Sequence, residues 1–162
     1  MAADTNMNQF AQGRAVGDLD LAYFGFENVI SCRYLPGGTG NLVAGESVIL
    51  ADGGASDVAG PPTINKRGTE LVTIFGTVKR SLRKAEFKPG DTVEIAVAGA
   101  CMFLKANGAL ARGVAVTPVL ATPGSVKAVS TKTHYGITLD KAADKDIIRV
   151  LIQANGVAVG SA

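Results

Sequence analysis

The sequence has no tryptophan, a single histidine and only two cysteines in 162 residues, and aromatic side chains make up just 6% of it. With so few flat rings, platforms for stacking sugars or bases are scarce. A disulfide scaffold needs several paired cysteines. Cys32 and Cys101 instead sit far apart, each inside an apolar stretch, and are expected to be buried free thiols of a reducing cytosol. A structural zinc site takes about four ligands at set spacing, which one histidine and two distant thiols do not supply. Charge of one sign is lacking too: 16 Lys and Arg against 14 Asp and Glu leave +2. No strong field therefore steers the chain toward nucleic acid or an anionic membrane. The longest uncharged apolar run, near residues 95–104, is about half of a membrane-spanning helix. The opening Met1-Ala-Ala-Asp-Thr-Asn has neither the basic start nor the apolar core of a secretory signal, so none is expected.

What the chain does have is glycine, 20 residues of it, and 47% hydrophobic residues, enough for one packed domain. Residues 1–20 are small and polar, and Met7, Phe10, Val16 and Leu19 follow no period. Such an arm cannot bury itself. It is either disordered or laid on a neighbouring surface, with Phe10 as an anchor. From Leu21 onward, short Val, Ile and Thr runs alternate with glycine turns, which predicts strands. They fall over 23–34, 47–50, 70–77, 91–98, 101–105, 114–118, 125–128, 134–138 and 147–153. Turn material includes Leu35-Pro-Gly-Gly-Thr-Gly, Gly60-Pro-Pro, Lys88-Pro-Gly-Asp and the hairpin signal Asn107-Gly108. One or two helical turns are expected over 139–145, too short to stand alone. The organisation is then an extended arm (1–20), an all-β body (21–153) of small strands, closed or sandwiched to protect its edges, and a tail (154–162). A faint echo links Val43-Ala-Gly-Glu-Ser-Val-Ile-Leu with Lys88-Pro-Gly-Asp-Thr-Val-Glu-Ile, and Arg112-Gly-Val-Ala-Val repeats part of it. Any turn that enters a strand looks similar, and no solenoid period follows.

No constellation carries catalysis. His134 would have to serve as base in any Ser-His or Cys-His mechanism, yet no Gly-x-Ser-x-Gly elbow accompanies it. It reads as a structural strand histidine. Asp140, Asp144 and Asp146 lack the spacing of a calcium loop, and Lys141 and Lys145 intervene. Gly37-Gly38-Thr39-Gly40 is followed by neither Gly-Lys-Ser/Thr nor a helix, so it is a turn and not a phosphate cradle. The sharpest charge feature is Lys79-Arg80-Ser-Leu-Arg83-Lys84-Ala-Glu-Phe-Lys88, with Lys66 and Arg67 as a smaller basic spot. Its only aromatic side chain is Phe87. It reads as a loop that meets an acidic protein surface or stays solvated, in preference to nucleic acid.

The runs Phe87-Lys-Pro-Gly-Asp-Thr-Val-Glu-Ile-Ala-Val-Ala-Gly, Ala109-Leu-Ala-Arg-Gly-Val-Ala-Val and Tyr135-Gly-Ile-Thr-Leu-Asp-Lys-Ala-Ala-Asp-Lys-Asp-Ile-Ile-Arg-Val-Leu-Ile resemble tailed-phage capsid decoration, or cement, proteins. Leu42-Val-Ala-Gly-Glu-Ser-Val-Ile-Leu and Gly60-Pro-Pro-Thr-Ile-Asn-Lys-Arg-Gly fit as well, so the resemblance spans about 29–152. It implies a β-barrel or β-tulip-like body with Gly90, Gly136, Ile148, Val150 and Leu151 as framework positions. It also implies a homotrimer, made in the bacterial cytoplasm, on the outer surface of the virion's head. The major capsid protein is the implied partner, with no enzyme activity, cofactor, metal, nucleic acid or membrane involved. Candidate contacts to the capsid or a neighbour are Asn8, Gln9, Phe10 and Arg14 in the arm, and Lys79, Arg80, Arg83 and Lys84 in the basic loop. The competing expectation is a trimeric phage surface module that binds host carbohydrate or a receptor.

Overall fold

The computed structural model describes residues 15–20, 28–53, 60–69, 72–129 and 135–153, with the backbone of 157–158. The chain is all-β, and its strands close two five-stranded barrels placed one after the other in sequence. The first contains β1 (Val29–Tyr34), β3 (Ser47–Leu50), β4 (Thr63–Lys66), β6 (Gly76–Val78) and β8 (Thr92–Ala96). A two-residue ribbon, β2 (Leu42–Val43) with β7 (Glu86–Phe87), stands at one end of it. The second contains β9 (Cys101–Ala106), β10 (Ala115–Pro118), β11 (Ser125–Ala128), β12 (Gly136–Thr138) and β13 (Ile147–Ile152). Outside the barrels, β5 (Val72–Thr73) pairs antiparallel with β14 (Val157–Ala158).

The two barrels repeat one plan. In each, the first strand pairs parallel with the third and antiparallel with the fifth. Registers agree as well as order. Arg33↔Thr63 is matched by Lys105↔Ser125, Cys32↔Val93 by Leu104↔Ile148, and Val48↔Gly76 by Val116↔Gly136. The ribbon Leu42↔Phe87 has its counterpart in the bridge Leu110↔Ala142. Even the turns coincide: Asp91 accepts from the Lys88 N–H at 2.9 Å, and Asp146 from the Ala143 N–H at 2.8 Å. Gly76 and Gly136 hold the same seat for the same reason. A Cβ there would lie 2.5 Å from the Ala96 carbonyl oxygen and 2.7 Å from that of Leu151, closer than any side chain can sit.

Alternation explains the interiors. Along β1, Cys32 and Tyr34 point inward and are fully buried; along β8, so are Val93 and Ile95. Their counterparts Leu104, Ala106, Ile148 and Val150 fill the second barrel. Each such aliphatic contributes roughly 1.5–3 kcal/mol relative to exposure. The barrels are joined by only four residues, 97–100, and share apolar packing, since Ile74 and Ala96 of the first belong to the core of the second. Buried polar links cross the seam too. The Tyr135 hydroxyl bonds Thr77, and the Arg67 guanidinium donates to the Pro118 carbonyl at 2.9 Å.

Strands at 47–50 and 125–128 fall where the alternation predicts them, and most others shift by one or two residues. The expected 70–77 strand is split into β5 and β6 among its described residues. The helical turn expected over 139–145 is corrected: this stretch is bends and turns with one bridge, because Ala142 pairs with Leu110 and Asp140 turns onto Arg149. β4 falls outside the expected strands, since Gly60-Pro-Pro reads as turn and Lys66 and Arg67 as a basic spot in a loop.

Candidate functional site

Set against the second barrel, the first carries longer connections. Its β6–β8 connection has 13 residues (79–91) where the β12–β13 one has 8 (139–146), and its β1–β3 connection has 12 (35–46) against 8 (107–114). Both long loops emerge from the same end of the first barrel, tied at their root by the β2–β7 ribbon. The 35–46 loop is pinned inward: the buried Tyr34 hydroxyl donates to the carbonyls of Thr39 (3.1 Å) and Gly40 (2.9 Å). Gly37-Gly38-Thr39-Gly40 thus closes a turn, as its composition implies. Burial and the nearby Glu46 carboxylate push the Tyr34 hydroxyl above its usual pKa, so it stays a donor.

The 79–85 stretch is different, because its tip stands out from the described residues. Leu82 is 91% exposed, the most exposed large apolar side chain among the described residues. Around it the backbone is set by the Ser81 hydroxyl, which accepts the Arg83 N–H at 3.1 Å. The four cations named from the sequence do not all reach this tip. Lys79 lies back along β8, paired with Glu94 at 3.2 Å. Arg80 bonds Asp18 at 3.2 Å, and Lys84 bonds Asp91 at 3.0 Å. These exposed pairs orient side chains more than they stabilise the fold. Arg80, Leu82, Arg83 and Lys84 together rim an open groove of about 580 Å³ whose floor is Val16, Val43 and Ala44.

That floor brings in residues 15–20. Gly17 and Asp18 bond Phe103 of β9, Leu19 pairs with Met102, and the Gly17 carbonyl accepts from the Arg80 N–H at 2.9 Å. Val16 fits where Gly45 and Gly124 leave room; a Cβ on either would lie 2.4 or 2.5 Å from its Cγ1. The root of the basic loop is therefore fastened across the seam between the barrels.

Asn8, Gln9, Phe10, Arg14 and His134 lie outside the described residues. Cys32 and Cys101 are both buried free thiols. Burial pushes Cys32 up to about 11; burial, with Asp20 nearby, pushes Cys101 up to about 12. Neither is a nucleophile at neutral pH. The clustered aspartates are each engaged locally. Asp140 pairs with Arg149 at 2.6 Å, Asp144 accepts the Gly108 N–H at 2.7 Å, and Asp146 caps its own turn. Among the described residues no three metal-ligating side chains converge. Sequence reasoning found the cations but missed Leu82 as the projecting group; a lone leucine inside a basic run was the available signal.

No protein-family model matches the chain, and no curated protein does either. Among solved structures it is similar to the head fiber gp8.5 N base of bacteriophage phi29, with a TM-score of 0.49 and 11% identity, over 82% of this chain and 98% of that one.

Proposed function

We propose that this protein is a non-enzymatic adhesion module of a tailed-phage head, a cement protein that docks on the outer surface of the assembled capsid as a trimer and stabilises it. The observation that carries the reading is the inserted loop, which holds Leu82 91% exposed beside Arg83 on a frame whose twin barrel does without it. A projecting apolar side chain with a cation beside it suits an acidic protein surface with an apolar hollow. The resemblance of the sequence to decoration proteins supplies the kind of surface. Three copies of one modest contact add to tight binding on a repeating lattice. A ligand of the assembled shell, and not of its free subunits, stabilises the shell by mass action.

The structure changes how this reading is best tested. Residues 15–20 cover β9, so removing 1–20 would strip the second barrel as well. Truncation at Ala15 separates the arm from the fold. Light scattering on the full chain should give three times the monomer mass, and the protein should co-sediment with undecorated heads of the phage that encodes it. A Leu82→Ser, Arg83→Glu double variant should keep its melting temperature and lose co-sedimentation. A monomer, or a double variant that decorates normally, would refute the proposal.

A further inference from the structure

The strand edge that residues 15–20 cover on the second barrel has a counterpart on the first that no described residue covers. Along β9 the odd-numbered residues turn their backbone groups away from β13. There Gly17 N–H donates to Phe103 O (2.8 Å), Phe103 N–H to Asp18 O (2.8 Å) and Asp20 N–H to Cys101 O (2.9 Å). Cys101, Met102 and Phe103 are 3%, 0% and 6% exposed. By register, Val29, Ile30 and Ser31 hold the same places in β1. Yet Ile30 is 39% exposed and Ser31 is exposed, and among the described residues no strand or bridge pairs with them on the side away from β8.

We propose that this edge of β1, Val29 to Ser31, is a strand-addition site for an extended segment of a partner protein that carries a lysine or arginine. The backbone geometry is already proven on the twin barrel, where three hydrogen bonds, two of which close the antiparallel bridge of Leu19 with Met102, seat the segment. The charge follows from a single exchange. On the second barrel Arg149 reaches across β9 to Asp20 at 3.5 Å. In the first barrel Glu94 occupies the register position of Arg149, with its side chain 55% exposed. A cation at the place of Asp20 would meet Glu94 and compete with Lys79 for it.

A second copy of residues 15–20 fits poorly. It would bring Asp18 and Asp20 toward Glu94. Its Val16 would also have to enter where Pro62 stands in place of Gly124, since Arg33 N–H bonds Pro62 O as Lys105 N–H bonds Gly124 O. A short basic segment of another protein meets neither obstacle. This inference does not rest on the virion reading.

Two measurements on the full chain test it. Hydrogen exchange should show the Ser31 amide open and the Phe103 amide protected, by about a hundredfold or more. A fluorescent peptide Gly-Ser-Leu-Lys-Val-Thr should then bind saturably by anisotropy at concentrations up to about 1 mM, and about fivefold more weakly with aspartate in place of its lysine. Ser31→Pro removes the outward N–H at a position where proline is tolerated, and should keep the melting temperature while abolishing binding. If that variant does not fold, a peptide N-methylated on its β1-facing amides should fail to bind the unmodified chain. A protected Ser31 amide in the free chain, no saturation, or binding that survives Ser31→Pro or N-methylation would overturn the strand-addition site. Equal affinity for the aspartate peptide would overturn its basic occupant.

Discussion

The first and second barrels share strand order, pairing sense, register and even the aspartate that closes their last turn, but they spend their residues differently. The second is trimmed: its connections are short and its exposed strand edge is covered by residues 15–20. On the first no described residue pairs with that edge; it also carries the longer loops and holds out Leu82. When two copies of one frame lie in one chain, each serves as the control for the other. What the frame requires is common to both, and what only one has must be explained by something else. By that measure the basic loop and the β1 edge are the parts of this molecule that folding does not account for.

The comparison can be pressed at matched positions. The largest effect is expected at the paired glycines. Gly76→Ala and Gly136→Ala each drive a methyl into a facing carbonyl and should cost about 2–4 kcal/mol by chemical denaturation. A cost at one and none at the other would break the equivalence. Next comes the seam. Tyr135→Phe leaves the buried Thr77 hydroxyl without its cross-barrel bond and should cost about 1–2 kcal/mol. Burial keeps the Tyr135 hydroxyl neutral well above its usual range, so this loss should not vary between neutral and moderately alkaline pH.

A smaller effect separates the two last turns. Gly90 has φ +92° in open space, while Lys145, its counterpart, adopts φ 71° against the preference of a side-chain-bearing residue. Lys145→Gly should therefore stabilise by about 0.5–1 kcal/mol in thermal melts, and Gly90→Ala should destabilise by about 1 kcal/mol. The smallest effect is in acid. The Lys88 N–H, then Lys84, hold the Asp91 carboxyl below the usual aspartate value. Its folded-state pKa is depressed, so its contribution is complete above the unfolded value and fades as pH falls through the folded one. NMR titration should show Asp91 protonating late, and Asp91→Asn should flatten that limb of the stability curve.

Much of the fold was legible because alternating Val, Ile and Thr between glycine turns can do little but pair. The duplication was not. Of its matched positions only a few keep the residue, among them Leu42 and Leu110, Gly45 and Gly113, Val48 and Val116, Gly76 and Gly136, and Asp91 and Asp146. A barrel interior asks for apolar volume and not for particular side chains, so Tyr34 can stand opposite Ala106 without a trace in the sequence. The echo between Arg112-Gly-Val-Ala-Val and the run after Val43 does mark equivalent places, whereas the one between Val43 and Lys88 joins unlike turns of the same barrel. In the basic segment, charge was visible but partnership was not. Asp18 and Glu94, which take up Arg80 and Lys79, are 62 and 15 positions away along the chain.

The bonds between residues 15–20 and β9 also set an order of events during synthesis. These residues leave the ribosome before any strand of either barrel, yet Cys101 and Phe103, the strand residues they bond, are made some eighty residues later. In between, β1 to β8 can close without them, as domains generally fold while the chain is still growing. Residues 15–20 are thus among the last to settle, and Leu19 must wait for Met102 until the second half arrives.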